Sequence, residues 1–507
     1  MNGYCTRHTR KVEWTGAEIR GSLLTFPEDR VREGVMRVPQ RTVLVLSISV
    51  TVIATVSGLA NAGSRSRDAT MGDRSPVWSR PFVDAPGSPS DVVTAWNAFA
   101  GEASVAACFI GGYAPQEARM YAMTHVAIHD ALNAIDRRSQ PYAADLVAAP
   151  GTSADAAVAA AARDVLVSVL GSFSFFLPAG CIADGVASVE ADYAAALAAI
   201  PAGTAKTQGI ALGQDAAEAI LELRASDGYD TPTVDPNYQE GTAPGEYRYT
   251  PGTPFAFAPF LGEDLTPFAL KDGSQFRPGP PYRLTSPKYA ADVNEVQLLG
   301  GDDVTTPSAR TDDQTEIALF WVESSPLMWN RLARTVSTAE GLDLWENARL
   351  FGLLNIALTD GYIGTFETKY HYRFWRPVTA IRLADIDGNA ATTADPNWTP
   401  LLENPPIPDY DSGHAVEGGV GAQVLRRFFH DDSMSFSLCS FTLPEGERCN
   451  DASPTLRHFT SFSQAMEENA VSRIYVGFHF RDAVETGSHH GKKIANWTVK
   501  SVMQPVH

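Results

Sequence analysis

Three short segments in the last part of the chain carry side chains that suit a tetrahedral oxyanion. They are KYHYRFWRP (369–377), YDSGHA (410–415) and SRIYVGFH (472–479), with the candidate site residues Lys369, Arg376, Ser412, Gly413, His414, Arg473 and His479. Cationic side chains attract an oxyanion, and the planar guanidinium group matches the spacing of its oxygens. A serine hydroxyl and a closely approaching glycine N–H donate hydrogen bonds. The two histidines can supply a nucleophile or metal ligand and a general acid.

A simpler interpretation of the first segment is a solvated basic face. On one continuous helix Lys369, Arg373 and Arg376 project from one side, with His371 roughly opposite, and their stems would lie over aromatic rings. The chain as a whole is acidic, with a formal net charge of −19, which argues against a nucleic-acid binder and makes a local basic cluster notable. All three segments together favour the oxyanion site.

The three segments resemble the motifs of the superfamily of vanadium-dependent haloperoxidases and type 2 phosphatidic acid phosphatases. The similarity is closest to the bacterial vanadium haloperoxidase-like proteins. It extends to ARMYAMTHVAIHDALNAI (118–135), FWRPVTAIRLADIDGN (374–389), DPNWTPLLENPPIPDYDSGHA (395–415) and SRIYVGFHFRDAVETG (472–487). It therefore covers most of the chain after the N-terminal segment.

The resemblance implies a role for each candidate residue. The equatorial oxygens of vanadate would be bound by Lys369, Arg376, Ser412, Gly413 and Arg473. His479 would be the axial ligand of the metal, and His414 the acid–base residue. In a phosphatase with the same pocket, phosphate would replace vanadate, His479 would attack phosphorus and His414 would protonate the leaving group.

Two enzyme functions and one binding function follow from the resemblance. The first is a vanadate-dependent haloperoxidase acting on hydrogen peroxide, halide and a small organic acceptor; chain length and two-bundle organisation favour it. The second is a secreted acid phosphatase that hydrolyses soluble phosphate monoesters through a phosphohistidine. The third is a non-catalytic oxyanion-binding protein, which the presence of both His414 and His479 disfavours.

The sequence departs from the family pattern at two places. Asp411 stands where the family often has proline, and its carboxylate could raise the pKa of His414 or hydrogen-bond elsewhere. The family often has an aspartate four residues after the metal-binding histidine, where this chain has Ala483, with Asp482 and Glu485 on either side. Arg473 and His479 would also diverge on an unbroken helix, so the helix must end or bend near Gly477.

The N-terminal 62 residues are predicted to lie outside the fold. Residues 1–35 look like an over-extended translation start, and Met36–Ala62 has the basic, apolar and small-residue regions of a secretory signal peptide. The alternative is a membrane anchor, because the apolar run Val43–Leu59 approaches the length that spans a bilayer. The signal peptide is favoured, with a secreted or periplasmic protein and no membrane span after cleavage.

The remaining chain is predicted to be all-α, with two stacked helical bundles. The predicted divisions are a flexible leader (63–92), an N-terminal bundle (93–228), a Pro/Gly/aromatic-rich connecting segment (229–307) and a C-terminal bundle with the oxyanion site (308–507). For an exported chain, Cys439 with Cys449 is the better disulfide pair, and Cys108 with Cys181 is the remaining possibility.

Other chemically notable residues receive structural interpretations. Arg373 is predicted to form a structural ion pair, and His489 and His490 to face solvent. His125 and His129 have the spacing of a metal-binding pair on a helix, but no third ligand is evident. Core positions are predicted for Tyr370, Phe374 and Trp375, and a bracing role at the site cations for Glu323, Glu467 and Glu468.

Overall fold

The structure is a computed structural model that describes residues 90–109, 114–173 and 179–506. The predicted translation start, signal peptide and nearly all of the leader lie outside the described residues. Described helices are α1 (Val92–Ala106), α2 (Ala114–Ile135), α3 (Ala154–Ser172), α4 (Ala179–Ala199), α5 (Thr204–Leu223), α6 (Leu261–Asp264), α7 (Pro287–Leu299), α8 (Asp312–Phe320), α9 (Ser325–Glu340), α10 (Leu344–Tyr372), α11 (Pro377–Arg382), α12 (Gly413–Phe429), α13 (Phe462–Tyr475) and α14 (Arg481–Ser501), with a 3-10 turn at Ala384–Ile386.

The described residues contain a single small sheet besides these helices. Strands β1 (Phe436–Leu438) and β2 (Arg457–Phe459) pair antiparallel, with Phe436 opposite Phe459. The predicted all-α class is therefore confirmed.

The 29-residue helix α10 is the central element of the fold. It begins at a capping box in which the side chain of Asp343 accepts hydrogen bonds from the backbone of Trp345 and Glu346. Nearly every residue from Asn347 to Lys369 is buried, as expected of a helix surrounded by others. It packs against α2, α12 and α14.

One continuous apolar core runs from α1 to α14. Helices α1–α5 pack on one another, and α10 and α12–α14 do the same, while α10 also packs on α2. The predicted division into two bundles with boundaries at 228 and 308 stays a prediction.

Helices α12 and α14 pack backbone against backbone, which fixes the helix that begins at the candidate site. A Cβ atom added to Gly491 would lie 2.0 Å from the carbonyl oxygen of Val416, and one added to Gly419 would lie 2.3 Å from that of Ser488. Such distances are too short for any side chain, so glycine is required for this approach.

The Pro/Gly-rich segment 229–307 packs over the C-terminal end of α10. The backbone N–H of Tyr247 donates to the carbonyl of Arg373 at 2.7 Å, and that of Phe257 donates to Pro406 at 2.8 Å. The segment also contains the short helix α6 and the helix α7. The segment is thus joined both to the end of α10 and to the chain that leads to the second segment.

The two disulfides named from the sequence are present: Cys439–Cys449 and Cys108–Cys181. Among residues 90–109, 114–173 and 179–506, no helix combines the length and apolar character needed to cross a membrane.

Candidate oxyanion site

The first segment is not one continuous helix. Helix α10 ends at Tyr372 because Arg373 adopts the left-handed conformation, with φ of 48°. Arg376 is the N-cap of α11, and Pro377 occupies the first helical turn, where its missing N–H costs no hydrogen bond. The interpretation of this segment as a solvated basic face is therefore wrong. Lys369 and Arg376 belong to different helices and are fully buried, whereas Arg373 is exposed.

Lys369 is held by the chain that leads to the second segment. Its Nζ atom donates to the carbonyl oxygens of Pro408 and Asp409, each at 2.9 Å. Burial, assisted by the charge of Arg376, lowers the pKa of Lys369 to about 7. A negative charge in its surroundings would stabilise the protonated form.

Arg376 links the first segment to the third and to the chain that leads to the second. Its Nε donates to the carbonyl of Ile407 at 2.7 Å, its Nη1 donates to that of Phe478 at 2.9 Å, and Nη1 lies 3.0 Å from Nε2 of His479. The remaining Nη2 atom is buried without a hydrogen-bond partner. Burial lowers the pKa of Arg376, which is the cost of placing this cation in the interior.

The second segment forms the beginning of α12. Ser412 is the N-cap, and its backbone N–H donates to the carbonyl of Ala483 at 3.0 Å. Its Oγ atom is buried without a partner. The space beside Gly413 is open, since the nearest atom to an added Cβ would be Cγ2 of Thr365 at 4.0 Å. A helix N-terminus with free N–H groups favours anions.

His414 lies in the first turn of α12. The side chain is half-buried, but its Nε2 atom is inaccessible and has no hydrogen-bond partner. Burial and then the charge of Arg473 lower its pKa well below the usual value, opposed by a hydrogen bond to the backbone of Glu323. The imidazole is therefore neutral at neutral pH and can accept a proton.

The third segment contains the predicted break. Helix α13 ends at Tyr475, and Gly477 follows with φ of +82°. The N–H groups of Phe478 and His479 both turn back to the carbonyl of Arg473, at 3.0 and 3.2 Å. The expectation that the helix ends near Gly477 is confirmed.

Arg473 is almost fully buried. Its Nη1 donates to the carbonyl of Trp321 at 3.1 Å, its guanidinium carbon lies 5.1 Å from the ring centre of Phe478, and its Nε has no partner. Burial and the charge of Arg376 lower the pKa of Arg473 to about 9. Two guanidinium groups are thus close enough to repel each other.

His479 lies between a cation and a carboxylate. Its Nδ1 atom is 2.9 Å from Oδ1 of Asp409, although the two atoms are not aligned as in an ideal hydrogen bond. Burial and the charge of Arg376 lower the pKa of His479 well below its usual value. Burial raises the pKa of Asp409 to about 8, opposed by Arg376 and Lys369.

The sequence did not identify Asp409 as the partner of His479. Asp482 instead accepts from the N–H of Tyr282 at 3.2 Å, and Glu485 lies 3.6 Å from Arg481. Among the described residues, the acidic partner of His479 is Asp409 rather than either of these carboxylates. One feature of the sequence could have indicated Asp409. It lies three residues before Ser412, so its segment must run close to the candidate site.

Asp411 does not act on His414 through a direct hydrogen bond. Its two carboxylate oxygens contact Thr365 and His490. Of the two alternatives for Asp411, hydrogen bonding elsewhere is therefore the one observed. The prediction that His490 faces solvent is wrong, because it is 2% exposed, whereas His489 is exposed as predicted.

Several secondary predictions are also resolved. Glu323 pairs with Arg331 and Glu468 with Arg457, and Glu467 is exposed, so the predicted bracing of the site cations is wrong. Tyr370, Phe374 and Trp375 pack in apolar clusters as predicted.

The remaining predictions concern His125, His129 and Arg373. His125 contacts Asn97, while His129 contacts Asp130 and Ser139, and the described residues contain no cluster of three metal-ligating side chains. Arg373 donates to the neutral groups of Tyr238 and Gln239 rather than to the predicted charged partner.

Buried charges and unpartnered polar atoms from the three segments would suit an oxyanion. Lys369, Arg376 and Arg473 each lower the pKa of both His414 and His479, so these five groups lie within electrostatic reach of one another. Buried donors or ring nitrogens without partners come from all three segments: Arg376 Nη2, Ser412 Oγ, His414 Nε2 and Arg473 Nε. An oxyanion would supply both the acceptors and the negative charge that this set lacks.

Comparison with known proteins agrees with this chemistry. Residues 349–507 match the family model of the VCPO second helical-bundle domain. The chain is 27% identical over 306 residues to the vanadium chloroperoxidase of Curvularia inaequalis, covering 49% of this chain and 48% of that protein. The chain thus spans about half the length of the curated relative it matches.

Solved structures show the same fold. A bacterial vanadium-dependent iodoperoxidase superposes with a TM-score of 0.64 at 23% identity, covering 82% of this chain and 96% of that one. The holo form of a bacterial vanadium-dependent chloroperoxidase superposes with a TM-score of 0.59 at 17% identity, covering 83% and 96%. The family match includes all seven candidate residues, and the resemblance of this chain to the vanadium-dependent haloperoxidases is confirmed.

Proposed function

We propose that this protein is a vanadate-dependent haloperoxidase, which uses hydrogen peroxide to oxidise halide to hypohalous acid. The observation that carries the proposal is the set of three buried cations around His479, together with the unpartnered donors of Ser412, Arg376 and Arg473. Burying three cations without an anion is unfavourable, because each loses its hydration and repels the others.

The protein would bind vanadate through residues of all three segments. Lys369, Arg376 and Arg473 neutralise its charge, and the Ser412 hydroxyl and the Gly413 N–H at the start of α12 donate to its oxygens. His479 turns Nδ1 toward Asp409, which leaves Nε2, on the side of Arg376, as the ligand atom. A carboxylate behind a metal-binding histidine fixes its tautomer and increases its basicity.

His414 is the proton-transfer residue of the proposal. Its lowered pKa keeps Nε2 unprotonated at neutral pH, and that atom has no competing hydrogen bond. It can therefore take a proton from bound hydrogen peroxide and return one later. When bound beside His414 and His479, vanadate would supply Lewis-acid chemistry for the oxidation of halide by peroxide, with no change in its own oxidation state.

The cellular location is part of the proposal. The signal-like sequence Met36–Ala62 supports export to the periplasm or the outside of the cell. Two disulfides are consistent with an oxidising compartment. A small organic acceptor would then receive the oxidised halogen outside the cytoplasm.

The test compares two activities of the purified full-length chain. Peroxide-dependent bromination with added orthovanadate is measured beside p-nitrophenyl phosphate hydrolysis, for the wild type, His479→Ala and the exposed control His489→Ala. The proposal predicts bromination that requires vanadate, is lost in His479→Ala and remains in His489→Ala. Phosphate release by the vanadate-free protein, inhibited by vanadate and without bromination, would assign the protein to the phosphatases instead.

A further inference from the structure

A second buried polar cluster lies directly behind the start of α12. Asp411 precedes the N-cap Ser412, and its Oδ2 atom is 2.8 Å from Nδ1 of His490 on α14. Its other oxygen, Oδ1, accepts a hydrogen bond of 2.8 Å from the hydroxyl of Thr365 on α10. One carboxylate therefore joins two helices to the segment that carries three of the candidate site residues.

The cluster is completely buried. Asp411 and Thr365 are 0% exposed and His490 is 2% exposed. Water therefore does not compete for these contacts, and a buried carboxylate with a partner on each oxygen is held in one orientation. An apolar pair could fill the same volume, but it would not fix rotation about the side-chain bonds of residue 411.

The ring of His490 is also fixed from its other side. A Cβ atom added to Gly364 would lie 3.2 Å from both Cε1 and Nε2 of His490, so α10 closes over the ring. The neighbouring residue of α10 is Thr365, which holds the other carboxylate oxygen. Helix α10 thus supports the cluster at two successive positions.

The backbone next to Asp411 is tethered as well. The N–H of Ser412 donates to Ala483 on α14 at 3.0 Å. A Cβ atom on Gly487 would lie 2.8 Å from the carbonyl oxygen of Ser412, so α14 also packs tightly against this residue. Any shift of Asp411 would therefore move the Ser412 hydroxyl and the Gly413 N–H relative to the site cations.

We propose that Asp411 and His490, with Thr365, form a buried clamp that positions Ser412 and Gly413 for oxyanion binding. All three are positioning residues, because they act through the start of α12. The inference rests on the proposed function, since it assigns these two donors to a bound oxyanion. It predicts that loosening the clamp weakens anion binding even when the protein remains folded.

The test measures the dissociation constants of orthovanadate and inorganic phosphate by calorimetry on the full-length chain. His490→Leu removes the donor to Asp411, and His489→Leu is the matched control on the exposed neighbour. His490→Asn is the conservative variant, because an asparagine amide nitrogen can take the place of Nδ1. Removing the support behind a ligand typically weakens binding about 10–100-fold. We expect that loss for His490→Leu, near wild-type binding for His490→Asn and no change for His489→Leu.

A second pair of variants tests the clamp if His490→Leu does not fold. Thr365→Val removes one hydroxyl with little change in shape, and Thr359→Val is its control, because that buried hydroxyl of α10 bonds only within its helix. We expect weaker anion binding in Thr365→Val and unchanged binding in Thr359→Val.

The outcomes separate the two proposals. Unchanged dissociation constants in Thr365→Val and in folded His490→Leu would overturn the clamp, even if the melting temperature fell, because the cluster would then be merely structural. No binding of either anion by the wild type would overturn the proposed function itself, and with it the assignment of the clamp to an oxyanion.

Discussion

The Nδ1 atom of His479 lies 2.9 Å from Oδ1 of Asp409, and the two residues are separated by 70 positions in the sequence. The family pattern would place this carboxylate four residues after the histidine, where this chain has Ala483. The carboxylate instead comes from the segment that precedes α12. The carboxyl group beside His479 therefore comes from a different part of the chain than the family pattern predicts.

Replacing this carboxylate should weaken vanadate binding. Asp409→Asn keeps the shape of the side chain but replaces the carboxyl group beside Nδ1 of His479 with an amide, and we expect vanadate affinity and bromination to fall about 10–100-fold. Equilibrium binding and steady-state rates measure the effect. Glu485→Gln is the control, because Glu485 is exposed and pairs with Arg481. Wild-type binding by Asp409→Asn would show that His479 needs no carboxylate behind it.

Anions should stabilise the folded protein. Because the site cations are buried close together, a ligand that neutralises them raises the free energy of unfolding, by about 2.7 kcal/mol at a ligand concentration 100 times the dissociation constant. We expect the melting temperature to rise with phosphate or vanadate in the wild type and in Arg373→Gln, which changes an exposed arginine outside the site. The rise should disappear in Lys369→Met. An equal rise with sodium chloride at the same ionic strength would indicate screening rather than a site.

Anion binding above neutral pH should take up a proton. The pKa of Lys369 is lowered from 10.5 to about 7, so its contribution to stability is present above 10.5 and decreases as the pH falls toward 7. A bound anion favours the charged form and reverses this trend. Calorimetry with sulfate at pH 8.5, in buffers with different ionisation enthalpies, should detect the uptake. Lys369→Arg should reduce it, and equal uptake in wild type and variant would assign the proton to another group.

The bend at Gly477 should be sensitive to a methyl group. Gly477 and Gly151 both have φ of +82°, but a Cβ on Gly477 would lie 2.6 Å from the carbonyl oxygen of Gly300, whereas Gly151 has open space. Gly151→Ala should lower the free energy of unfolding by about 1–2 kcal/mol because of its conformation alone. Gly477→Ala should cost about 1–3 kcal/mol more from overpacking and should weaken anion binding. Denaturant unfolding of both variants checks the difference; equal losses would mean that the backbone around Gly300 adjusts freely.

The sequence was sufficient for those parts of the site that depend on residue type and local spacing. Arg473 and His479 are six residues apart, and this spacing alone required a break that Gly477 could provide. The partner of His479 was beyond such reasoning. Asp409 lies in an irregular segment without periodicity, and only the tertiary packing of that segment against Lys369 and Arg376 brings it to the histidine.

His490 could have been placed correctly from the sequence. It lies seven residues after Ala483 and four before Ile494, so helical periodicity puts it on the buried face of α14. The prediction that it faces solvent rested on its position near the C-terminus and not on this periodicity. The end of α10 was missed for a different reason: Arg373 adopts a left-handed conformation that is uncommon for arginine, and no local signal indicates it.

The most direct test of the account is vanadium binding by the wild type and by His479→Ala. Both proteins are loaded with orthovanadate, freed of excess, and analysed for vanadium content and by X-ray absorption at the vanadium edge. We expect one vanadium per wild-type chain with a nitrogen neighbour, and loss of that neighbour with much weaker retention in His479→Ala. Equal vanadium content and an identical spectrum in the two proteins would contradict it.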